Sequence, residues 1–141
     1  RQTSVRDTPS PQFQIMQALR NDTPAIVERM DNRDWIYATD VARAVCALLA
    51  APSLQHRLYN ISTGHSWSVL SWGQALAAHF PGSECRLAKP GEPGNIALHA
   101  AEDRRPLSID RLTGDLGFHC DFDLKQSVDD YYAWARVTHI K

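Results

Sequence analysis

The sequence predicts an α/β fold with about five helices and short strands of mixed arrangement. Residues Arg33 to Gly64, RDWIYATDVARAVCALLAAPSLQHRLYNISTG, read as a strand, an apolar helix and a second strand ending in a polar loop, the order of a βαβ unit. Apolar residues recur at helical spacing elsewhere, as in Val69, Trp72, Leu76 and Phe80. Short β-rich runs are punctuated by proline and glycine.

The opening residues are polar and irregular, and Pro9 and Pro11 fit only before or within the first turn of a helix. That helix spans Gln12 to about Arg20, with Phe13, Met16 and Leu19 on its packing side, and Asn21-Asp-Thr-Pro stops it. Ala25-Ile-Val-Glu reads as a strand, Met30-Asp-Asn as a turn and Asp34-Trp-Ile-Tyr-Ala as a second extended segment. From Val41 to Ala51 only Arg43 interrupts an apolar surface, which predicts a helix buried on nearly every side, with Asp40 as its cap. The strand Leu58 to Ser62 follows, then a helix capped by Ser68 and closed by Pro81-Gly82. Pro90, Gly91, Pro93 and Gly94 interrupt two candidate strands, Cys85 to Ala88 and Ile96 to His99, in an excursion that faces ligand or moves. Asp110 caps a short helix that Gly117 stops. Asp123 and Gln126 have capping-box spacing ahead of a last helix that packs through Val128, Tyr131, Tyr132 and Trp134 to Ala135.

A chain of 141 residues, 43% hydrophobic, fits one domain with a core of its own. A formal charge of −1 gives no broad reason to expect nucleic acid as a partner. No apolar run reaches membrane-spanning length, and RQTSVRDTPS lacks the order of a signal peptide, so the expected location is the cytoplasm. Cys46, Cys85 and Cys120 form neither a disulfide framework nor a metal clip, and Cys46 reads as a small core residue. The six histidines lack zinc-site spacing, so no metal is expected. Gly64-His-Ser-Trp-Ser68 lacks the second glycine of a hydrolase elbow, and no GxxxxGK[ST] loop is present.

The segments RDWIYATDVARA and YNISTG closely resemble the "RDxxYVxDVAxA…YNIGTG" signature of the extended short-chain dehydrogenase/reductases, the NAD(P)-dependent nucleotide-sugar epimerases and dehydratases. Asp110 to Phe118 is similar to the "DxSKAxxxLGW" helix of that family. The resemblance covers the whole chain but only the carboxyl-terminal part of the family. It implies the carboxyl-terminal part of an extended Rossmann-type fold, with residues 1–141 as a substrate-binding portion and the cofactor-binding half absent. The glycines, Gly64, Gly73, Gly82, Gly91, Gly94, Gly114 and Gly117, do not form the pyrophosphate-binding loop. No tyrosine here is followed four residues later by the lysine that would lower its pKa for proton transfer, so no catalytic residue is assigned.

By the same resemblance Arg33 contacts the diphosphate of a nucleotide sugar, a task its planar fork of donors suits; its bland alternative is a surface pair with Asp31 or Asp34. Arg104 and Arg105 precede the short helix where the family often supplies a second arginine, although their spacing differs from its Arg-Pro-Gly-Asp string. Tyr37 and Asn60, near strand ends, touch substrate or pack the sheet. Thr63, Gly64 and His65 lie on the loop where an α/β sheet opens toward ligand. Asp40 is assigned a structural role.

The implied function is the nucleotide-sugar-binding part of an epimerase/dehydratase that passes a hydride transiently to NAD or NADP, inactive and without cofactor in isolation. Its expected partners are the nucleotide-sugar substrate and the missing amino-terminal half, with a homodimer also possible. The alternative is a noncatalytic binding or assembly module that keeps the family fold. Loss of the first half would leave apolar surface on the Val41 to Ala51 helix and unpaired sheet edges.

Overall fold

The computed structural model describes residues 9–99 and 101–138; the irregular start expected over residues 1–8 and the histidine at 139 lie outside them. Two compact units emerge, one from residues 1–31, 68–103 and 124–141, the other from residues 32–67 and 104–123.

In the first unit, helix α1 (Pro11–Arg20) starts where the Ser10 hydroxyl accepts the Phe13 N–H and Pro11 needs no donor of its own. It buries Pro11, Ile15, Met16 and Leu19, so Ile15 takes the core position expected of Phe13, which is half-buried. Strand β1 (Ala25–Val27) follows. In the second unit lie β2 (Asn32–Arg33) and α2 (Ala38–Ala50). Strand β3 (Trp67–Ser68) leads into α3 (Val69–Ala77), where the Ser68 hydroxyl accepts the Ser71 N–H as expected of a cap. Strand β4 (Cys85–Leu87), α4 (Asp110–Leu116) and α5 (Leu124–Val137) complete the order.

Strands β1 and β4 run parallel, with Ala25 opposite Cys85 and Val27 opposite Leu87. Helix α3 packs against α1, β4 and α5. Ile15, Leu19, Val27, Val69, Leu76 and Val128 are among the most deeply buried side chains. Trp72 meets the Tyr131 ring edge-on at 5.4 Å, and His79 stacks on Tyr132 at 4.3 Å with its Nε2 2.8 Å from Asp129. Trp134, expected to pack, is half exposed; Ser127, Val128 and Ala135 are the buried residues of α5.

Residues 96–99 do not form the expected strand. The Asn95 side chain accepts the Ile26 N–H at 2.8 Å while the Asn95 backbone N–H donates to the Ile26 carbonyl at 3.0 Å, so one residue closes the β1 edge that a strand would have covered. The Gln14 amide exchanges two hydrogen bonds with the Ala97 backbone and holds the same segment from the other side. Gly94 permits the approach, since a Cβ there would fall 2.8 Å from Glu28 Cγ and 3.1 Å from the Ile26 carbonyl oxygen.

The second unit departs further from expectation. Residues 58–62 are irregular rather than a strand, and β2, which falls at the edge of the expected turn, pairs with β3 instead. Residues 34–37 carry no ladder and lead directly into α2, which starts three residues earlier than expected. Tyr37 is therefore the cap residue, and Asp40 sits fully buried inside the first turn. Its two oxygens accept the backbone N–H groups of Asp121 and Phe122 at 3.0 and 3.1 Å, and Arg43 pairs with it at 2.6 Å. A carboxylate satisfied by a distant loop is unavailable as a cap.

Ala44 packs with Leu112 and Phe118 to form this unit's core, joined by Ala47, Leu48, Tyr59, Ile61 and Leu116. Helix α2 is nevertheless not buried all round: Val45 is 40% and Leu49 82% exposed. Cys46, expected in the core, is exposed as well. Helix α4 begins with Asp110 as its first residue and Ile109 at the cap position, because the Asp110 carboxylate is engaged by the Ser108 hydroxyl. Gly117 ends it at φ +62°, donating to the Thr113 carbonyl at 2.8 Å. Asp115 in α4 accepts from the Tyr59 hydroxyl and lies 3.0 Å from His56 Nδ1, and these partners hold its carboxyl below the usual range.

Replacing a helical glycine by alanine normally stabilises by about 1 kcal/mol. In Gly73→Ala the new Cβ would sit 2.3 Å from Cys85 Sγ and 3.2 Å from Ile15 Cδ1, both on buried residues. Overpacking of that kind costs about 1–3 kcal/mol, so urea unfolding should show Gly73→Ala to be less stable than the parent, and a more stable variant would contradict the packing. Asp40→Ala leaves the Asp121 and Phe122 N–H groups without their acceptor, and the same measurement should show a loss of about 2 kcal/mol or more.

Candidate functional site

Every residue assigned to substrate from the sequence falls in the second unit, where one carboxylate ties the segment of Arg33 to those of Thr63 and Leu107. Asp34 follows Arg33 at the end of β2. Its Oδ1 accepts the Thr63 N–H at 3.1 Å and the Thr63 hydroxyl at 2.7 Å, and its Oδ2 accepts the Leu107 N–H at 2.9 Å. The Thr63 hydroxyl also lies 2.9 Å from the His65 carbonyl, but it has one proton, and the shorter, charged acceptor is the stronger one. Burial opposes the charge on Asp34. Hydrogen bonds from the Ser62 and Thr63 side chains and the Leu107 and Thr63 backbones more than offset it and hold the carboxyl below its ordinary value of 3.8.

A second tie acts one residue before Arg33, where the Arg104 N–H donates to the Asn32 carbonyl at 3.0 Å. Arg33 therefore lies on a backbone segment fastened on one side to Arg104 and on the other to Thr63 and Leu107. Arg104 and Arg105 are exposed, and Arg33 is half-buried with its guanidinium carbon 6.0 Å from the Trp35 ring centroid. Arg33 and Arg104 thus stand on chain segments joined by a backbone hydrogen bond next to Arg33, with Arg105 following in sequence.

Gly64 adopts φ +77°, a conformation that favours glycine, and a Cβ there would press on Ile109 at 3.2 Å. This turn carries the chain out of the Thr63 clamp toward His65. The other two assigned residues have visible structural partners. Tyr37 packs on Phe122 with ring centroids 4.8 Å apart. The Asn60 amide donates to the Ser108 carbonyl at 2.8 Å, beside a pocket of about 250 Å³ shared with Leu58 and Arg111.

The sequence offers Asp34 only as an ion-pair partner for Arg33 and not as the residue that builds the site. The available signal was an acid directly after the candidate arginine together with a threonine thirty residues on; neither gives a period or a spacing that points to the other. The first unit separately holds a cleft of about 610 Å³ lined by Glu28, Arg29, Asn95, Ile96, Leu98 and His99 among others. Among the described residues no group of His, Cys, Asp and Glu could hold a metal ion, and no helix is long and apolar enough to cross a membrane.

No family model matches the sequence. A dTDP-L-rhamnose 4-epimerase of Burkholderia thailandensis is 26% identical over 102 residues, 72% of this chain and 26% of that protein. A GalE-like L-threonine dehydrogenase from Cupriavidus necator overlays 84% of this chain on 43% of its own, at 25% identity and a TM-score of 0.66. The Bordetella bronchiseptica enzyme WbmF, solved in complex with NAD+ and UDP, shares the fold over 92% of this chain and 37% of its own, at 18% identity and a TM-score of 0.68. The chain spans about a quarter of the length of the curated relative and about two fifths of these structures. Short strands, five helices and these comparisons agree on the fold: the chain is similar to the carboxyl-terminal part of NAD(P)-dependent epimerases and dehydratases of the extended short-chain dehydrogenase/reductase type.

Proposed function

We propose that this chain is the nucleotide-sugar-binding portion of an NAD(P)-dependent epimerase or dehydratase, and that Arg33, with Arg104 and Arg105, engages the diphosphate. The observation that supports this most directly is the fastening of β2 to two neighbouring segments, Arg104 N–H to Asn32 and Asp34 to Thr63 and Leu107. Two anionic phosphates need several donors fixed before the ligand arrives, and guanidinium groups on tied backbones supply them at low ordering cost. Thr63 and Gly64 shape the turn beside them. Tyr37 and Asn60 support the same wall, Tyr37 through Phe122 and Asn60 through Ser108, and reach the sugar from there.

Residues of this chain do not perform the redox step in this reading. Hydride transfer belongs to NAD or NADP, held by a cofactor-binding portion that the matched region of the relatives does not include. What the present residues do is hold the sugar diphosphate at a fixed place, and positioning of that kind lowers a barrier by several kcal/mol. A UDP-bound relative with the same fold and a dTDP-sugar epimerase with related sequence support a nucleoside diphosphate as the handle.

Titration calorimetry with UDP and dTDP tests the assignment. Arg33→Ala should weaken binding about ten- to hundredfold, the loss of one or two charge-assisted hydrogen bonds, with the fold intact by circular dichroism. Unchanged affinity in a folded variant would remove Arg33 from the site. The pH dependence of stability tests the clamp. Because folding lowers the Asp34 pKa, the stability it adds is fully present above the ordinary carboxylate value and is lost as pH falls through the lowered folded value. Urea midpoints between about pH 6 and about pH 3 should fall less steeply for Asp34→Asn than for the parent, and identical slopes would contradict the clamp.

A further inference from the structure

We infer that Arg29 is a positioning residue for the proposed diphosphate site: its guanidinium ties residue 31 to residue 103, and so places the chain segments that carry Arg33 and Arg104. One nitrogen donates to Asp31 Oδ1 at 2.5 Å and another to Asp103 Oδ1 at 2.6 Å. A planar fork of donors holds two carboxylates at a fixed angle, which a lysine point charge does not. Asp31 stands two residues before Arg33, and Asp103 directly precedes Arg104. The next residue along each segment repeats the link, since the Arg104 N–H donates to the Asn32 carbonyl at 3.0 Å. The tie itself lies within the first unit, and the covalent chain carries its effect to the residue that follows on each segment.

The two ends of the tie differ. Asp31 is 1% exposed, and its carbonyl accepts the Val69 N–H at the start of α3, so it is a fixed point. A buried carboxylate requires a partner, and Arg29 supplies one. Asp103 is half exposed, and residues 101–108 are exposed without exception. With no apolar burial to place that stretch, polar ties do so: Asp103 to Arg29, the Arg104 N–H to Asn32 and the Leu107 N–H to Asp34. Asp34 thus fixes the far end of the stretch and Arg29 the near end, with both candidate arginines between them. Donors held in place before a ligand arrives bind it at a lower ordering cost. The inference rests on the proposed function in naming what the positioned arginines bind, while the tie is read from its own geometry.

Arg29→Ala would strand the buried Asp31 charge and endanger the fold, so Asp103 is the position to vary. By charge alone, removing an acid beside an anion site tightens binding, whereas loss of positioning weakens it, so the sign of the change separates the two effects. In Asp103→Ala, UDP binding measured by calorimetry should weaken about three- to tenfold. Its melting temperature should stay nearly unchanged, because an exposed pair adds little stability. Asp103→Glu keeps the charge and the reach to Arg29 and should bind as the parent does. Exchange of the Arg104 amide with water, followed by nuclear magnetic resonance, should quicken about tenfold in Asp103→Ala, while the Leu107 amide, held by Asp34, keeps its rate. Equal or tighter binding by folded Asp103→Ala overturns the inference, as does an unchanged Arg104 amide or an Asp103→Glu variant as weak as Asp103→Ala. A parent chain that binds neither UDP nor dTDP overturns the reading of the site instead; a faster Arg104 amide then upholds the tie, and an unchanged one overturns it.

Discussion

The arrangement of the second unit depends on two oxygens of Asp34. One takes both polar hydrogens of Thr63, and the other takes the Leu107 N–H, so three segments distant in sequence meet at one carboxylate. No ladder of ordinary strands holds these segments, since β2 and β3 are two residues each and residues 58–62 are irregular. A charged acceptor with donors from Ser62, Thr63 and Leu107 replaces the cooperativity a sheet would give. Its low pKa is the thermodynamic mark of that role: the interactions that stabilise the anion are the ones that order the site.

Asp40 repeats the device a few residues on. Buried in the first turn of α2, it holds the backbone at 121–122 and the Arg43 guanidinium, which pairs also with Asp121 at 2.9 Å and lies over the Phe118 ring. Asp115 does the same for α4 through Tyr59 and His56. Three carboxylates thus organise a unit whose apolar core, centred on Ala44, Leu112 and Phe118, is small. The first unit buries more apolar surface, with helices α1, α3 and α5 and a two-stranded parallel ladder, beside a buried Asp31 paired with Arg29. The difference fits the placement of the candidate site, because polar ties leave donors and loops near solvent where a charged ligand needs them.

Much of this was legible in the sequence where local chemistry decides. Ser68 before an apolar period gave a cap and a helix, and Gly117 gave a left-handed stop. Cys85 to Leu87 gave a strand. The family signature singles out Arg33, Thr63 and Gly64 as candidates, and all three fall in the second unit. What could not be read depends on partners far along the chain. Asp40 has the sequence context of a cap, yet the 121–122 backbone claims its oxygens. Leu58 to Ser62 has the composition of a strand, but in this unit its neighbours are Ser108 and Asp115 rather than a ladder, reached through Asn60 and Tyr59. Composition made α2 a buried helix, whereas Val45, Cys46 and Leu49 on it are exposed.

Arg33 and the segments tied beside it are proposed to form a nucleoside diphosphate site. Backbone chemical-shift mapping of the isotope-labelled chain on addition of UDP tests it most directly. Perturbations should concentrate at residues 33–34, 63–65 and 104–107 and saturate together with one affinity. Perturbations that leave these three segments untouched, or none at all at millimolar UDP, would contradict it.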